Sequence, residues 1–366
     1  MKRTNTAVWI ESRNRWQINV QKDGIRKTFT SSKLGKTGQR EANAKADRWL
    51  DEGVVSGRLT VKKASEGYIE YLKSTTSKSN WIQYEGYFKN WINPQIGTVK
   101  IDNLSEMSLQ KVINNGFSKG LSKKTLMNIR GCMMGFLKYC RKSKLTTLIV
   151  EDLAIPKGAP VGEKCILQPE HIKILFSSDK TMFCRKEISD PFINAYRFQV
   201  VTGLRPGELF GLQWKDISDG IVHLRRSINE LNETTNGKNE NARRDFALNI
   251  ISSSILEEQK KLCETREYES EYVFARVDGS HLTQPYYYER WRTYRTHNGI
   301  TADVSPYELR HTFVSAVKTL PEGYLKQLVG HSKNMDTYGV YSHQMTDDMS
   351  NTAKMVQDVF RDILTD

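Results

Sequence analysis

The chain has 366 residues, 38% of them hydrophobic, with a mean hydropathy of −0.58. Those values exclude a wholly disordered chain and leave room for two or three domains. Lys and Arg total 55 against 42 Asp and Glu, a net charge of +13 that points to a polyanionic partner, nucleic acid first, with a basic surface kept for solubility as the alternative. Five scattered cysteines (Cys132, Cys140, Cys165, Cys184 and Cys263) form no CxxC pair, so reduced thiols are expected rather than disulfides or a zinc site. Lys2 and Arg3 are followed by no apolar run, and no stretch reaches transmembrane length. A cytoplasmic protein without membrane contact is the expectation.

Residues 1–57 read as a small sheet followed by a helix. Val8–Ile10, Trp16–Val20 and Ile25–Thr30 predict three strands, with Asp23-Gly24 as the hairpin turn between the last two. Glu41 to Asp51 carries Ala42, Ala46, Trp49 and Leu50 at helical spacing, an apolar face able to cover the sheet. Residues 1–60 hold 13 basic and 6 acidic residues, a net +7. A sheet this basic, with Arg13, Arg15, Lys22, Arg26 and Lys27 around its strands, can lay one face in a DNA groove; a solvated hairpin surface is the alternative.

Residues 62–150 read as a helical domain. Tyr68, Ile69, Tyr71 and Leu72, then Trp81, Tyr84, Tyr87, Phe88, Trp91 and Ile92, recur at helical spacing until Asn93-Pro94 breaks the pattern. Leu104-Ser105 begins a further helix, and Ser122 caps a long one running through Leu126, Ile129, Met133, Phe136 and Leu137. The aromatic stripe reads as core rather than as a base-stacking platform. Lys123, Lys124, Lys138, Arg141, Lys142 and Lys144 are spaced to meet phosphates. Residues 151–166 are rich in Pro and Gly and predict a linker to a third domain, 167–366.

That domain opens with helices at Pro169–Phe176 and Pro191–Val201, the second closed by Gly203. The run TGLRPGELFGLQWKDI then sets Arg205 at a helix N-terminus, with Pro206 first in the helix and Glu208 close enough to orient the guanidinium. Ile221 to Ile250 predicts a β-hairpin whose Asn/Gly/Lys-rich tip contains Lys238. Ser305 and Glu308 form a capping box with Pro306 at the first helical position, and Tyr307 and Arg310, three apart, share a face of that helix. A short helix at Glu322–Val329 ends at Gly330, with His331 just past it and Tyr341 ten residues further. From Met349 on, Ala353, Val356, Phe360, Ile363 and Leu364 form the stripe of a last amphipathic helix. An arginine and a histidine near one point, followed by a tyrosine hydroxyl, suit chemistry on a phosphodiester.

These segments together resemble the tyrosine recombinases, specifically integrases of the phage and conjugative-transposon type. TGLRPGELFGLQW resembles the family's first arginine box, LRHT (309–312) and LVGHS (328–332) its second, and Tyr341-Ser342-His343 its nucleophile segment. Lys238, six residues before Arg244, stands as the family's hairpin lysine does. The resemblance implies a mainly α protein with small β-sheets (α+β) in three domains: an arm-type DNA-binding domain (1–57), a helical core-binding domain (62–150) and, after the linker, a catalytic domain ending in an exchange helix (167–366).

It further implies that Arg205 and Arg310 clamp the phosphate, that His331 adds a hydrogen bond or assists proton transfer, and that Lys238 is the general acid. Tyr341 is then the nucleophile that forms a 3′-phosphotyrosine. Tyr338, only seven residues after His331, is a competing candidate. Glu208 and His311 are supporting neighbours, and Arg13, Arg15, Arg26, Lys27, Lys123, Lys124 and Lys142 are candidate DNA contacts. No metal and no other cofactor is implied. The implied partners are double-stranded DNA at core and arm sites and further copies of the chain, tetrameric on DNA through the last helix. An excision factor and a host DNA-bending protein are candidate accessories. One position departs from the family, which usually has histidine where this chain has Tyr307; a phenol can still donate a hydrogen bond but is a poorer base near neutral pH. A non-catalytic regulator on the same fold and a type IB topoisomerase-like enzyme are the alternative functions.

Overall fold

The computed structural model describes residues 4–22, 25–51, 59–235, 243–266, 269–330 and 348–365. The protein is mainly helical with small antiparallel sheets, an α+β fold in two compact units, Met1–Gly162 and Glu163–Asp366.

In the first unit, β1 (Val8–Ile10), β2 (Arg15–Lys22) and β3 (Ile25–Ser31) form an antiparallel sheet in that order, with Trp16 opposite Ser31 and Lys22 opposite Ile25. Alternation along β2 turns Ile18 and Val20 inward, where they pack with Ala42, Ala46 and Leu50 of α1 (Gly35–Asp51). This helix starts six residues before Glu41. Its first turn is polar and carries none of the apolar spacing by which the rest is recognised. The predicted turn at Asp23-Gly24 lies outside the described residues.

The helical part runs α2 (Val61–Thr75), α3 (Lys78–Tyr87), a π-helical turn (Phe88–Ile92), α4 (Asn93–Ile96), α5 (Glu106–Ser118) and α6 (Lys123–Lys142). Side chains of Thr60, Ser105 and Ser122 accept the backbone N–H bonds that open α2, α5 and α6. The expected break at Asn93-Pro94 is not a break: Pro94 stands in α4 directly after the π turn, which carries the helix through it. Tyr68, Phe88 and Phe136 meet edge to face or tilted in the core, so the aromatic stripe is packing. Residues 145–168 form no helix or strand, as a linker would, yet Val150, Leu153 and Ala159 are buried against the helices. Gln110 exchanges two 2.9 Å hydrogen bonds with the backbone of Ala154, and the Lys123 N–H donates to the Pro160 carbonyl at 2.7 Å.

The second unit begins with α7 (Pro169–Ser177), a hairpin of β4 (Lys180–Phe183) and β5 (Lys186–Ser189), and α8 (Ile193–Thr202). The hairpin is legible only in hindsight: its turn residues Cys184 and Arg185 both have positive φ, 48° and 64°, without the Gly or Asn that usually marks such a turn. Next come α9 (Pro206–Gly211), β6 (Ile217–Ser218), β7 (Ile221–Leu224), β8 (Ser227–Ile228), β9 (Thr234–Thr235) and β10 (Arg244–Ala247). β10, β7 and β6 form one antiparallel sheet, β8 and β9 a two-stranded ladder. The chain closes with α10 (Ile250–Thr265), α11 (Gln284–His297), α12 (Pro306–Ala316), α13 (Glu322–Val329) and α14 (Asp348–Thr365).

Helix α8 is buried on every face except at Arg197, with Tyr196 against Tyr287, Trp291 and Tyr294 of α11. The last helix packs within its own unit. Its stripe, Ala353, Val356 and Phe360, is covered by its own unit: Phe360 stacks on Phe313 of α12 at 6.2 Å, and the Ala353 carbonyl and Gln357 side chain bond Asn249 and the Ile250 N–H. Among the described residues no helix is long and apolar enough to cross a membrane, and all five cysteines are free.

Candidate active site

The site is assembled at the C-terminal end of α8. Gly203 closes that helix with φ 67°, and a Cβ there would lie 2.3 Å from Cδ1 of Phe313, so only glycine both makes the left-handed turn and admits α12. Buried Gln199 fixes the approach, its amide donating to the Leu204 carbonyl at 3.1 Å and the Pro306 carbonyl at 2.9 Å while its oxygen accepts from the Tyr287 hydroxyl at 3.0 Å. Arg205 is the N-cap of α9. Its backbone N–H donates to Glu208 Oε2 at 3.0 Å and its Nη1 to Glu208 Oε1 at 2.7 Å. Arg310, only 3% exposed, donates from Nη1 to the Gly203 carbonyl at 2.8 Å and from Nη2 to the Val329 carbonyl.

A third arginine completes the cluster. Arg244, at the start of β10, bonds both oxygens of Glu208 at 3.1 Å and gives its Nε–H to the Leu328 carbonyl at 2.7 Å. The last carbonyls of α13 thus receive three guanidinia in succession: Arg244 at Leu328, Arg310 at Val329, and Arg205 at Gly330 with a distance of 3.4 Å. Helix ends leave such carbonyls unpaired and carry negative partial charge, so cations suit them. Burial pushes the Glu208 carboxyl up, but Arg244 and then Arg205 outweigh it and hold it below the usual carboxylate range. Burial and the nearby Arg205 pull the Arg310 guanidinium down to about 10, so it stays cationic at neutral pH.

Arg205, Glu208 and Arg310 are therefore brought together, as their motifs suggest. Tyr307 lies one turn before Arg310 on α12, 42% exposed, with its ring edge on His311 at 5.4 Å between centroids. His311 is half-buried beside it rather than bonded to Arg310, and burial, then Lys164, pushes its imidazole below the ordinary value. Lys238, His331, Tyr338 and Tyr341 lie outside the described residues. Sequence reasoning did not single out Arg244 or Gln199. The spacing of Arg244 from Lys238 was the one available signal; Gln199 sits in a helix buried all round, where periodicity distinguishes no face.

The candidate DNA contacts divide. Arg13 is exposed in a 3-10 turn, Glu11–Arg13, and Arg15 and Arg26 stand on the sheet face opposite α1, with Arg15 Nη2 on Gln17 at 3.4 Å. Lys27 is on the other face, opposite Val20, its Nζ 5.6 Å and 5.8 Å from the ring centroids of Phe29 and Trp49. Lys123 and Lys124 are exposed in the first turn of α6 and Lys142 is its exposed last residue. Among the described residues no group of His, Cys, Asp or Glu could hold a metal ion.

Two family models match the chain: Phage integrase family over residues 167–347, and Phage integrase, N-terminal SAM-like domain, over 60–116. A tyrosine recombinase XerC-like protein of Caldanaerobacter subterraneus subsp. tengcongensis is 22% identical across 98% of this chain and 99% of its own. Prophage integrase IntR of Escherichia coli K12 is 28% identical over 183 residues, 43% of this chain and 44% of its own. Among solved structures, Tn1549 transposon integrase in complex with circular intermediate DNA has a TM-score of 0.60 at 16% identity, over 80% of this chain and 98% of that one. A lambda integrase tetramer bound to a Holliday junction has a TM-score of 0.57 at 18% identity, over 90% and 93%. The fold is the one those integrases share, and the chain belongs to the phage integrase family of tyrosine recombinases, enzymes that cleave and rejoin DNA strands.

Proposed function

We propose that this protein is the integrase of a mobile element, inserting and excising it by cleaving DNA through a 3′-phosphotyrosine intermediate. The observation that carries the reading is the convergence of Arg205 and Arg310 at the end of α13, one residue before His331. A guanidinium has five N–H donors, and the Gly203 and Val329 carbonyls take two of those on Arg310. The remainder, with Arg205 held by Glu208, suit the two non-bridging oxygens on which attack builds charge. In the proposed step the Tyr341 phenol oxygen bonds to phosphorus and gives its proton to His331. The bond from phosphorus to the 5′-oxygen breaks, and that oxygen takes a proton from Lys238. The phosphotyrosine keeps the energy of the broken linkage, so the 5′-hydroxyl of a second strand rejoins by the reverse step. Tyr307 adds a hydrogen bond to the same phosphate from the exposed face of α12.

The basic sheet supplies an arm contact through Arg13, Arg15 and Arg26, and α6 supplies phosphate contacts through Lys123, Lys124 and Lys142. The partner is double-stranded DNA, on which copies of the chain assemble; a lambda integrase of the same fold is a tetramer on a Holliday junction, which supports this. Deleting residues from Met349 would uncover Phe313 as well as remove a docking helix, so it is not a clean test of assembly. The decisive test is Tyr341→Phe on a nicked suicide duplex cut from the DNA flanking the gene. Protein–DNA adducts that resist denaturant should vanish while binding persists; adducts surviving in that variant would overturn the assignment, and binding without adducts in the wild type would favour a regulator.

A further inference from the structure

We infer that Arg244 is a positioning residue for strand cleavage: it clamps the Glu208 carboxylate to the last turn of α13 and so sets Arg205 and the chain entering His331. The inference rests on the cleavage chemistry proposed above and names a residue that this chemistry does not itself require.

The geometry of Arg244 is that of a bracket. Its two Nη groups meet the two oxygens of Glu208 at 3.1 Å each, fork to fork, and its Nε–H reaches the Leu328 carbonyl at 2.7 Å. Glu208 in turn accepts the Nη1 and the backbone N–H of Arg205, so one carboxylate receives four donors and has no acceptor position to spare. The side chains of Arg244 and Glu208 are 8% and 3% exposed. Three of the five N–H donors of Arg244 are bonded to protein and its side chain is nearly closed to solvent, so it acts through Arg205 and α13 rather than on DNA. β10, which begins at Arg244, starts six residues after Lys238 in the chain. One guanidinium therefore joins the start of β10, the Glu208 that holds Arg205, and the last turn of α13.

The chemistry of Glu208 provides a readout that ordinary loss of stability would not move. From its own helix start, from β10 and from α12 it faces three guanidinia, Arg205, Arg244 and Arg310; β8, packed on the same helix, brings Ser227 and Ile228, which do not titrate. Burial alone pushes this carboxyl up, and Arg244 is the first of the groups that hold it down. Without Arg244, Arg205 alone of the two opposes the effect of burial, so Glu208 takes up a proton at a higher pH than in the wild type, and a protonated Glu208 holds Arg205 less firmly.

The test measures adduct formation by the full chain on the nicked duplex, as a function of pH, for wild type, Arg244→Met and Arg244→Lys. Arg244→Met should form adducts about 100-fold more slowly, the scale of a roughly 1 Å misplacement of catalytic groups. Its DNA affinity should be unchanged, and as pH is lowered its rate should begin to fall at a higher pH than the wild-type rate, whose own acid limb follows protonation of the His331 base. Arg244→Lys keeps a cation but cannot reach both Glu208 and Leu328, so its acid limb should return toward the wild-type position while its rate remains slow. A folded Arg244→Met with the wild-type rate and pH profile overturns the inference. Should that variant fail to fold, a wild-type rate in Arg244→Lys overturns it equally. Absence of adducts in the wild type would instead condemn the cleavage reading itself.

Discussion

Arg310 keeps its charge in a nearly dry place because oxygens meet it on several sides: Gly203 at the end of α8, Val329 at the end of α13, and Glu208 close by. Its neighbour on the same helix face, Tyr307, is the opposite case, exposed and with its ring against the edge of His311. Tyr307→Phe should therefore leave thermal stability unchanged and slow adduct formation about tenfold, the scale of one hydrogen bond to a charged group; an unchanged rate would remove the phenol from the site. Residues whose roles follow from local grammar were legible in the sequence. Arg205, Glu208 and Arg310 are set by a glycine stop, a proline start and two capping boxes. Arg244 was not, because its partners lie 36 and 84 residues away and nothing local in RRDFA announces them.

At the scale of elements, the three-stranded sheet separates charges that composition lumps together. Side chains alternate across a strand, so Arg26 and Lys27, adjacent in sequence, face opposite ways: one beside Gln21 on the open face, the other over Phe29 and Trp49. Arg26→Ala should weaken binding to arm-type DNA and lower the slope of log affinity against log salt by about 1. Lys27→Ala should leave that slope unchanged and lower the melting temperature slightly through the lost cation–π contacts, worth about 0.5–1 kcal/mol. Titrating both variants by fluorescence anisotropy at several salt concentrations separates the two roles, and equal slopes would mean that the faces do not divide the work. The elements the sequence missed share a cause: the β4–β5 turn adopts positive φ at Cys184 and Arg185, residue types that do not advertise it, and the π turn lets the helix pass Pro94 where a break was expected.

For the whole molecule, the mainly helical α+β class with its small sheets was readable from periodicity and turn signals, and the sheet, the helical part and the C-terminal unit each carry an apolar cluster. The stretch from 151 was not, because proline and glycine report what a segment cannot form and stay silent on what it leans against. Val150 and Leu153 are 6% and 1% exposed against the helical core. A fragment of residues 59–145 should thus be about 3 kcal/mol or more less stable to urea than one of residues 59–162, from the two side chains' burial alone; equal midpoints would mean that the segment adds nothing. The same packing has a consequence for proteolysis. A protease needs several residues of extended, free backbone, and between 150 and 160 Gln110 and the Lys123 N–H hold that backbone down. Cleavage there must wait for the segment to lift, so its rate under native conditions measures how often the helical core lets go of its own tail.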